Sequence, residues 1–319
     1  MFKIAFFKTK SYYKTYFEPV FLANDCTPRF IEMPLMEENI FLANGCNGIC
    51  VPFSSKVGST VIKKMHEMGI RYLFVIGIGT QNIDTKEAEG KVEIILIDEY
   101  STESVAEYSF GLMLAANRQI HRGYIRARDY NISRSGLMGG NIEGKTVGLI
   151  GYGRVGSRVA EFYRCFKANV IAYDIVSREN ADVKMVSLEE LFETSDIISI
   201  HIPTTKETHH LINKYTIARM KKGVILVSTS GSGIIDFYDL MEALRQRNKI
   251  GAAAIDYNEE EELVSGIKGF DEEELEDVVS QLSSFSNVLL TSNLSYYTAE
   301  TMEIVAKNFV EKIKEINKE

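Results

Sequence analysis

The sequence predicts an α/β protein, a doubly wound parallel sheet accompanied by a second, smaller α/β unit. Three observations carry this expectation. Gly151-Tyr152-Gly153-Arg154-Val155-Gly156 has the spacing G-x-G-x-x-G, with Asp174 eighteen residues beyond its last glycine. Short apolar runs alternate with amphipathic stretches along most of the chain, the pattern of parallel strands covered by helices on both faces. The length, 319 residues, suits about two domains, each able to bury its own core.

Taken in order, residues 3–7 read as a strand and 48–51 as another. Residues 59–68 form an amphipathic helix, 72–76 a strand ending in glycines, and 94–98 a further short strand. A long helix of about 20 residues begins near Thr102, with Val105, Ala106, Phe110, Leu112, Met113 and Ala116 on its apolar side, and suits a connection between two domains. Residues 146–150 then run as a buried strand into the glycines, 154–166 as the following helix, and 169–173 as a strand that delivers Asp174 at its carboxyl end. Strands follow at 197–202, 224–227, 252–255 and 288–291. A last helix over 299–316 carries Met302, Val305, Ala306, Phe309, Val310, Ile313 and Ile316 on one face. The acidic runs at 259–262 and 271–274 are expected to be solvated loop. Residues 1–100 with 297–319 make the smaller domain, and 101–296 the larger.

The glycine segment has the context that the dinucleotide fingerprint requires, a strand before it and a helix after it. Its glycines allow a tight turn and close approach of backbone to a pyrophosphate, and the helix N-terminus offers N–H donors and positive potential. Asp174 can accept both ribose hydroxyls and would repel a 2′-phosphate, which favours NAD over NADP; Arg178 nearby is a counter-signal. Tyr152, Arg154, Val155 and Ile175 flank the same site.

A net charge of −8 and an isoelectric point near 5.4 argue against a nucleic-acid partner or an anionic membrane surface. The first eight residues lack the long apolar segment of a signal peptide, and no apolar run approaches the ~20 residues that cross a bilayer. The expected location is the cytoplasm. Cys26, Cys46, Cys50 and Cys165 lack the spacing of a metal site and read as structural buried thiols; no metal is expected.

Several further motifs carry a resemblance over nearly the whole length. They are Gly79-Thr80-Gln81-Asn82-Ile83-Asp84, Tyr100-Ser101 with Val105-Ala106-Glu107, and the segment from Gly144 through Gly153. His201-Ile202-Pro203 with Thr208-His209-His210-Leu211-Ile212, Ala254-Ile255-Asp256, and Tyr296-Tyr297-Thr298 extend it. The chain resembles the D-2-hydroxyacid dehydrogenase family, and most of all its D-lactate and D-2-hydroxyisocaproate branch. The resemblance implies a Rossmann nucleotide domain, a flavodoxin-like substrate domain, NAD as cofactor, a small-molecule substrate and a homodimer formed through the nucleotide domain. It implies that Asp256 bonds the nicotinamide carboxamide and that Ile78 and Gly79 hold a substrate carboxylate through their N–H groups. Tyr100 and Tyr296 would line the substrate pocket. His201, Ile202, Pro203, Thr208, Ser228, Thr229 and Ser230 would border the cofactor.

That family's chemistry rests on an arginine in N-x-S-R-G, a histidine in T-P-H, and a glutamate five residues past the A-x-D aspartate. Reducing a ketone by hydride leaves an alkoxide, which needs a proton donor titrating near neutrality and a cation beside the oxygen. Here Gly231 stands at the arginine position and Asn293 at the histidine position, while Glu261 matches the glutamate. No histidine follows His210, so a shift in alignment does not restore one. His209 and His210 are expected to face solvent. Three readings remain: an NAD-dependent oxidoreductase with altered substrate chemistry built around Glu261, Asn293 and Tyr100; a slow 2-oxo acid reductase; and an NAD(H)-binding sensor or scaffold without turnover.

Overall fold

A computed structural model describes residues 1–77, 79–176, 182–246, 249–257 and 272–318. The chain divides into two compact units, Met1–Ser101 with Tyr297–Glu319, and Thr102–Tyr296. Arg178, Ile78, Glu261 and the acidic run at 259–262 lie outside the described residues.

In the first unit, β1 (Phe2–Phe6), α1 (Ser11–Leu22), β2 (Cys26–Phe30), β3 (Gly48–Pro52), α2 (Ser59–Glu67), β4 (Tyr72–Ile76), α3 (Thr85–Ala88) and β5 (Glu93–Ile97) follow in turn. The five strands form one parallel sheet in the order β2-β1-β3-β4-β5. Successive side chains of a strand point to opposite faces, and the sequence uses both. Ala5, Phe7, Ile49, Val51, Leu73 and Val75 pack against Val61, Ile62 and Met65 of α2. Ile4, Phe6, Cys50 and Phe74 pack on the other face against Phe17 and Phe21 of α1 and Phe309 of the C-terminal helix, Ala299–Ile316. Phe309 is the hub of that aromatic cluster, with ring centroids 4.5–5.2 Å from Phe74, Phe6 and Phe21.

The second unit begins with α4 (Thr102–Asn117) and α5 (Ile120–Arg128), then β6 (Thr146–Ile150), α6 (Arg154–Cys165), β7 (Asn169–Tyr173), β8 (Lys184–Met185), α7 (Leu188–Thr194) and β9 (Ile197–Ile200). It continues through α8 (Lys214–Arg219), β10 (Val224–Ser228), α9 (Phe237–Arg245), β11 (Ile250–Tyr257), α10 (Glu272–Ser284) and β12 (Val288–Ser292). The seven strands are parallel in the order β12-β11-β10-β9-β6-β7-β8. Phe110, Met113 and Ala116 of α4 with Val159, Ala160 and Tyr163 of α6 cover one face. Leu191, Ile217, Leu240 and Val278, from α7, α8, α9 and α10, cover the other. The doubly wound architecture expected from the sequence is therefore the one observed.

Several expectations need correction. The long helix near Thr102 is shorter than expected: α4 stops at Asn117, and Gln119, at φ 54°, reverses the chain before α5. Residues 272–274 belong to α10 rather than to a loop. Cys26, Cys46 and Cys50 are buried, but Cys165, the last residue of α6, is exposed. No helix among the described residues is long and apolar enough to cross a membrane.

Candidate functional site

The nucleotide turn lies where the second sheet changes winding direction, between β6 and β9. Chains in doubly wound sheets leave a crevice at this point, because successive connections depart to opposite sides. Gly151 sits at φ +97°, and a Cβ there would lie 2.5 Å from the carbonyl oxygen of His201. At Gly156 a Cβ would fall 2.1 Å from the carbonyl oxygen of Gly151, so the helix and the turn touch only because both residues are glycine. Gly153 differs, since a Cβ there would meet nothing within 4 Å. The open space in front of Gly153 is room for an incoming group.

Gly153 is also the N-cap of α6 and offers no side-chain cap, so the first N–H groups of that helix receive no side-chain partner there. Such an end favours an anion. Asp174 faces the same turn. Its Oδ2 accepts from the backbone N–H of Tyr152 at 2.8 Å and its Oδ1 from that of Val176 at 2.8 Å. Each oxygen retains a second acceptor position, so the carboxylate is oriented for two hydroxyls before any arrive. Tyr152 is buried under the turn, while Ile175 is exposed beside it.

The next strand ends supply polar atoms with few partners. The backbone N–H of His201 donates to Ile150 O at 2.8 Å, continuing the β6–β9 ladder. Its Nε2 lies 2.9 Å from Ser199 Oγ, which in turn lies 3.4 Å from Ser109 Oγ of α4. Burial holds the imidazole pKa down to about 3, so the ring is neutral near pH 7 and supplies no acid there. His201 Nδ1, Thr204 Oγ1 and Thr229 Oγ1 are buried without a hydrogen-bond partner among the described residues. Buried polar groups are seldom left unmet, so these three fit a polar ligand resting on the carboxyl ends of β9 and β10. Thr208 is committed elsewhere: its hydroxyl donates to Pro203 O at 2.7 Å and accepts from Thr205 N at 2.7 Å, fixing the turn after Ile202 and Pro203. Ser230 Oγ donates to Ile200 O at 3.0 Å and ties the loop after Ser228 to β9.

The loops that follow β10 and β12 are held by side-chain hydrogen bonds. Gly231 is buried at φ −54°, ψ 142°, a conformation open to any residue, and precedes a turn of 3-10 helix over Ser232–Ile234. Asn293 sits at φ 52°, and its carboxamide makes no hydrogen bond among the described residues. Asp256 is 2% exposed, with Thr291 Oγ1 at 2.6 Å and Leu294 N at 3.0 Å on Oδ1, and Ser295 N at 2.8 Å on Oδ2. This carboxylate clamps the chain on either side of Asn293, a role the sequence did not disclose. Tyr108 of α4 was also missed. Its hydroxyl bonds to Thr291, and burial raises its pKa. The apolar stripe of α4 drew attention away from it.

In the first unit, Gly79 is at φ +100° and Tyr100 is half-buried just past β5. Tyr296, half-buried, is the last residue of the second unit, and Tyr297 packs edge-on against Tyr12 at 4.9 Å. His209 and His210 face solvent only in part, the His210 side chain keeping 43% of its exposure. Both are half-buried and stacked at 3.8 Å, and His210 Nδ1 lies 3.4 Å from Asp236 Oδ2. His210 takes a left-handed conformation, and the His209 ring lies near Gly233 at the carboxyl end of the sheet.

Comparisons with known proteins agree with this geometry. Residues 110–295 match the profile of the D-isomer specific 2-hydroxyacid dehydrogenase NAD binding domain. The chain is 36% identical, over 95% of its length and 93% of the relative's, to a 2-hydroxyacid dehydrogenase homolog of Haemophilus influenzae. It is 33% identical to the D-lactate dehydrogenase of Escherichia coli over 99% of this chain and 97% of that one. The apo-structure of D-lactate dehydrogenase from Escherichia coli superposes with a TM-score of 0.89 at 32% identity, covering 99% of this chain and 97% of the other.

Proposed function

Because the chain belongs to the D-isomer specific 2-hydroxyacid dehydrogenase family and carries its NAD-binding domain, we propose that it is an NAD-dependent oxidoreductase for a small carbonyl or hydroxyl compound, with reaction chemistry altered at Gly231 and Asn293. The observation that carries the cofactor half is the turn itself, with open space at Gly153 facing a carboxylate already pinned at Asp174. Bound NAD(H) supplies or accepts the hydride. Asp174 holds the adenosine ribose, the N-terminus of α6 takes the pyrophosphate, and the orphaned atoms of Thr204, Thr229 and His201 line the remainder of the cofactor's path. The substrate-binding roles of Ile78, Gly79, Tyr100 and Tyr296 rest on the family resemblance.

The proton is the harder part. A carboxamide at Asn293 can donate a hydrogen bond to a developing oxyanion but cannot give up a proton near neutrality. The proton reaches the oxygen from a tyrosine hydroxyl, with Tyr100, Tyr108 and Tyr296 as the candidates and Glu261 as the acid–base partner. Without a titrating imidazole, turnover is about 10²–10⁴-fold below that of a family member that has one. Glu261→Gln further depresses turnover of the true substrate; unchanged turnover removes Glu261 from the mechanism.

The partner is a second copy of the chain. The segment after α4 supports this, since α5 has no buried residue, and Tyr130, Ile132 and Met138 beyond it are 95%, 90% and 95% exposed. The segment is built rather than loose: Arg122 donates to Gly136 O at 3.1 Å and Arg126 to Ser135 O at 2.6 Å. Exposed apolar groups concentrated on one structured arm mark an interaction surface. Sedimentation of the wild type against Ile132→Asp tests it, the variant being expected to run as a monomer.

The test of the main reading is NADH consumption by micromolar protein over a panel of 2-oxo acids, neutral carbonyls and imines, after NADH binding is measured by fluorescence. Turnover of any class supports the oxidoreductase. NADH binding with no turnover across the panel favours the second reading, an NAD(H)-responsive sensor or scaffold, which the absence of both guanidinium and imidazole at Gly231 and Asn293 recommends.

A further inference from the structure

The hydrogen bonds that converge on Asp256 have a fixed direction. Asp256 and Thr291 are register partners near the carboxyl ends of β11 and β12, the edge of a parallel sheet at which ligands lodge. An ionised carboxylate has no proton to give, so Thr291 Oγ1 donates to Asp256 Oδ1, at 2.6 Å. A threonine hydroxyl has one proton, and this one is committed. Its oxygen can then only accept from Tyr108 of α4, whose hydroxyl bonds to it.

The chain therefore runs one way, from Tyr108 to Thr291 to Asp256, and all three residues belong to the second unit. Its inner end, Asp256, is 2% exposed, while its outer end, Tyr108, is only half-buried. With its proton turned inward, Tyr108 Oη offers lone pairs alone to an incoming hydroxyl. Burial raises the pKa of this phenol, so it does not ionise on its own near neutrality. It can take up a proton only by passing its own along the chain, and hydrogen bonds in series polarise one another in a way that favours such a transfer.

We infer that Tyr108, Thr291 and Asp256 form a proton relay, with Tyr108 as the catalytic residue at the substrate oxygen and Asp256 as the terminal base, in place of the imidazole that Asn293 does not supply. The inference deepens the oxidoreductase reading, on which it rests, by selecting Tyr108 among its three tyrosines. In the oxidising direction the substrate hydroxyl donates to Tyr108 Oη. The electron pair leaves the carbon as hydride to bound NAD⁺ while the hydroxyl proton passes to Tyr108, that of Tyr108 to Thr291, and that of Thr291 to Asp256 Oδ1. The alcohol becomes a carbonyl and the carboxylate a carboxylic acid. Reduction runs the same transfers in reverse.

The test uses the full chain with the substrate class that the NADH-consumption panel identifies. Tyr108→Phe is expected to lower turnover about 10²–10⁴-fold, the usual weight of general acid–base catalysis, with NADH affinity by fluorescence unchanged. Thr291→Val lowers turnover as well, and Thr291→Ser, which returns the hydroxyl, recovers most of that loss. Several protons moving together give the wild type a solvent isotope effect that curves with deuterium fraction, and Thr291→Val abolishes the curvature. A second measurement needs no turnover. In carbon NMR of the cofactor-free chain labelled at tyrosine Cζ, the Tyr108 signal, assigned by its loss in Tyr108→Phe, is expected to shift in Thr291→Val. Turnover that survives Tyr108→Phe keeps the oxidoreductase and overturns the relay. A Tyr108 signal indifferent to Thr291→Val overturns the relay too. A wild type that turns over no class in the panel sinks the oxidoreductase reading itself, and the relay with it.

Discussion

The nucleotide turn and the reaction loops lie on one sheet, yet they are specified in opposite ways. At the turn, function depends on the absence of side chains: a Cβ at Gly151 or Gly156 would fall 2.5 or 2.1 Å from a backbone oxygen, and Gly153 faces the space that an incoming group needs. The reaction loops need particular side chains for their chemistry. Their frame is held by side chains, with Asp256 clamping Thr291, Leu294 and Ser295 and Ser230 reaching Ile200, while the altered chemistry proposed above falls on Gly231 and Asn293. On the proposed reading, framework and chemistry are separable, and one can outlast the other.

The sharpest way to exploit that separation is to return the chemistry to the intact framework. Gly231→Arg with Asn293→His is expected to raise kcat/KM on 2-oxo acids by about 10²–10⁴-fold, the usual weight of a general acid. Steady-state NADH oxidation on a variant with unaltered circular dichroism measures it. No gain in a well-folded double variant would mean that the loops have lost their productive geometry as well.

Removing the clamp tests the other side. Asp256→Ala leaves Thr291 and two backbone N–H groups without their acceptor, at a cost of about 3 kcal/mol in denaturant unfolding. NADH affinity is expected to survive, because the turn does not use this residue. A large loss of affinity would give Asp256 the carboxamide-binding role that the family resemblance implies.

Within the turn the three glycines can be set against one another. Gly156→Ala meets backbone and costs about 1–3 kcal/mol of stability. Gly153→Ala meets open space, so thermal stability stays within about 0.5 kcal/mol while NADH binding weakens. If both variants lose stability and affinity together, the space before Gly153 is not the cofactor's. A further test concerns pH. An unfolded histidine takes up its proton near pH 6.5, whereas burial keeps His201 neutral down to about pH 3. Between those values the unfolded chain binds the extra proton, so folding stability falls as pH drops through the window. His201→Gln is expected to flatten that slope, read by urea melts from pH 6.5 to 4.

Much of this was legible beforehand, and the gaps have physical causes. Strands apolar on both faces, such as β6 and β9, announce themselves because nothing else buries so completely. The strand β2 carries Pro28 and half-exposed side chains; it survives as an edge strand, where a missing N–H is tolerated. The helix α1 contains Pro19 and is rich in tyrosine, which blurs its apolar face. The break between α4 and α5 falls on Gln119 with no glycine or proline to mark it. The reach of Asp256 across 35 to 39 residues and the bridge from Lys8 to Ser54 across 46 are long-range facts that no local pattern encodes.

The φ of 52° at Asn293 has a consequence for how such a chain could arise. Left-handed backbone is uncomfortable for most residues, but asparagine and histidine are both among those that visit it readily. Their codons differ at a single base. A lineage carrying an imidazole at this corner could therefore exchange it for a carboxamide in one mutational step while Asp256 continued to hold the loop in place. Selection on folding would be nearly blind to that exchange. Only selection on turnover would oppose it, and once that pressure relaxed, the intact nucleotide turn would be left free to acquire a different purpose.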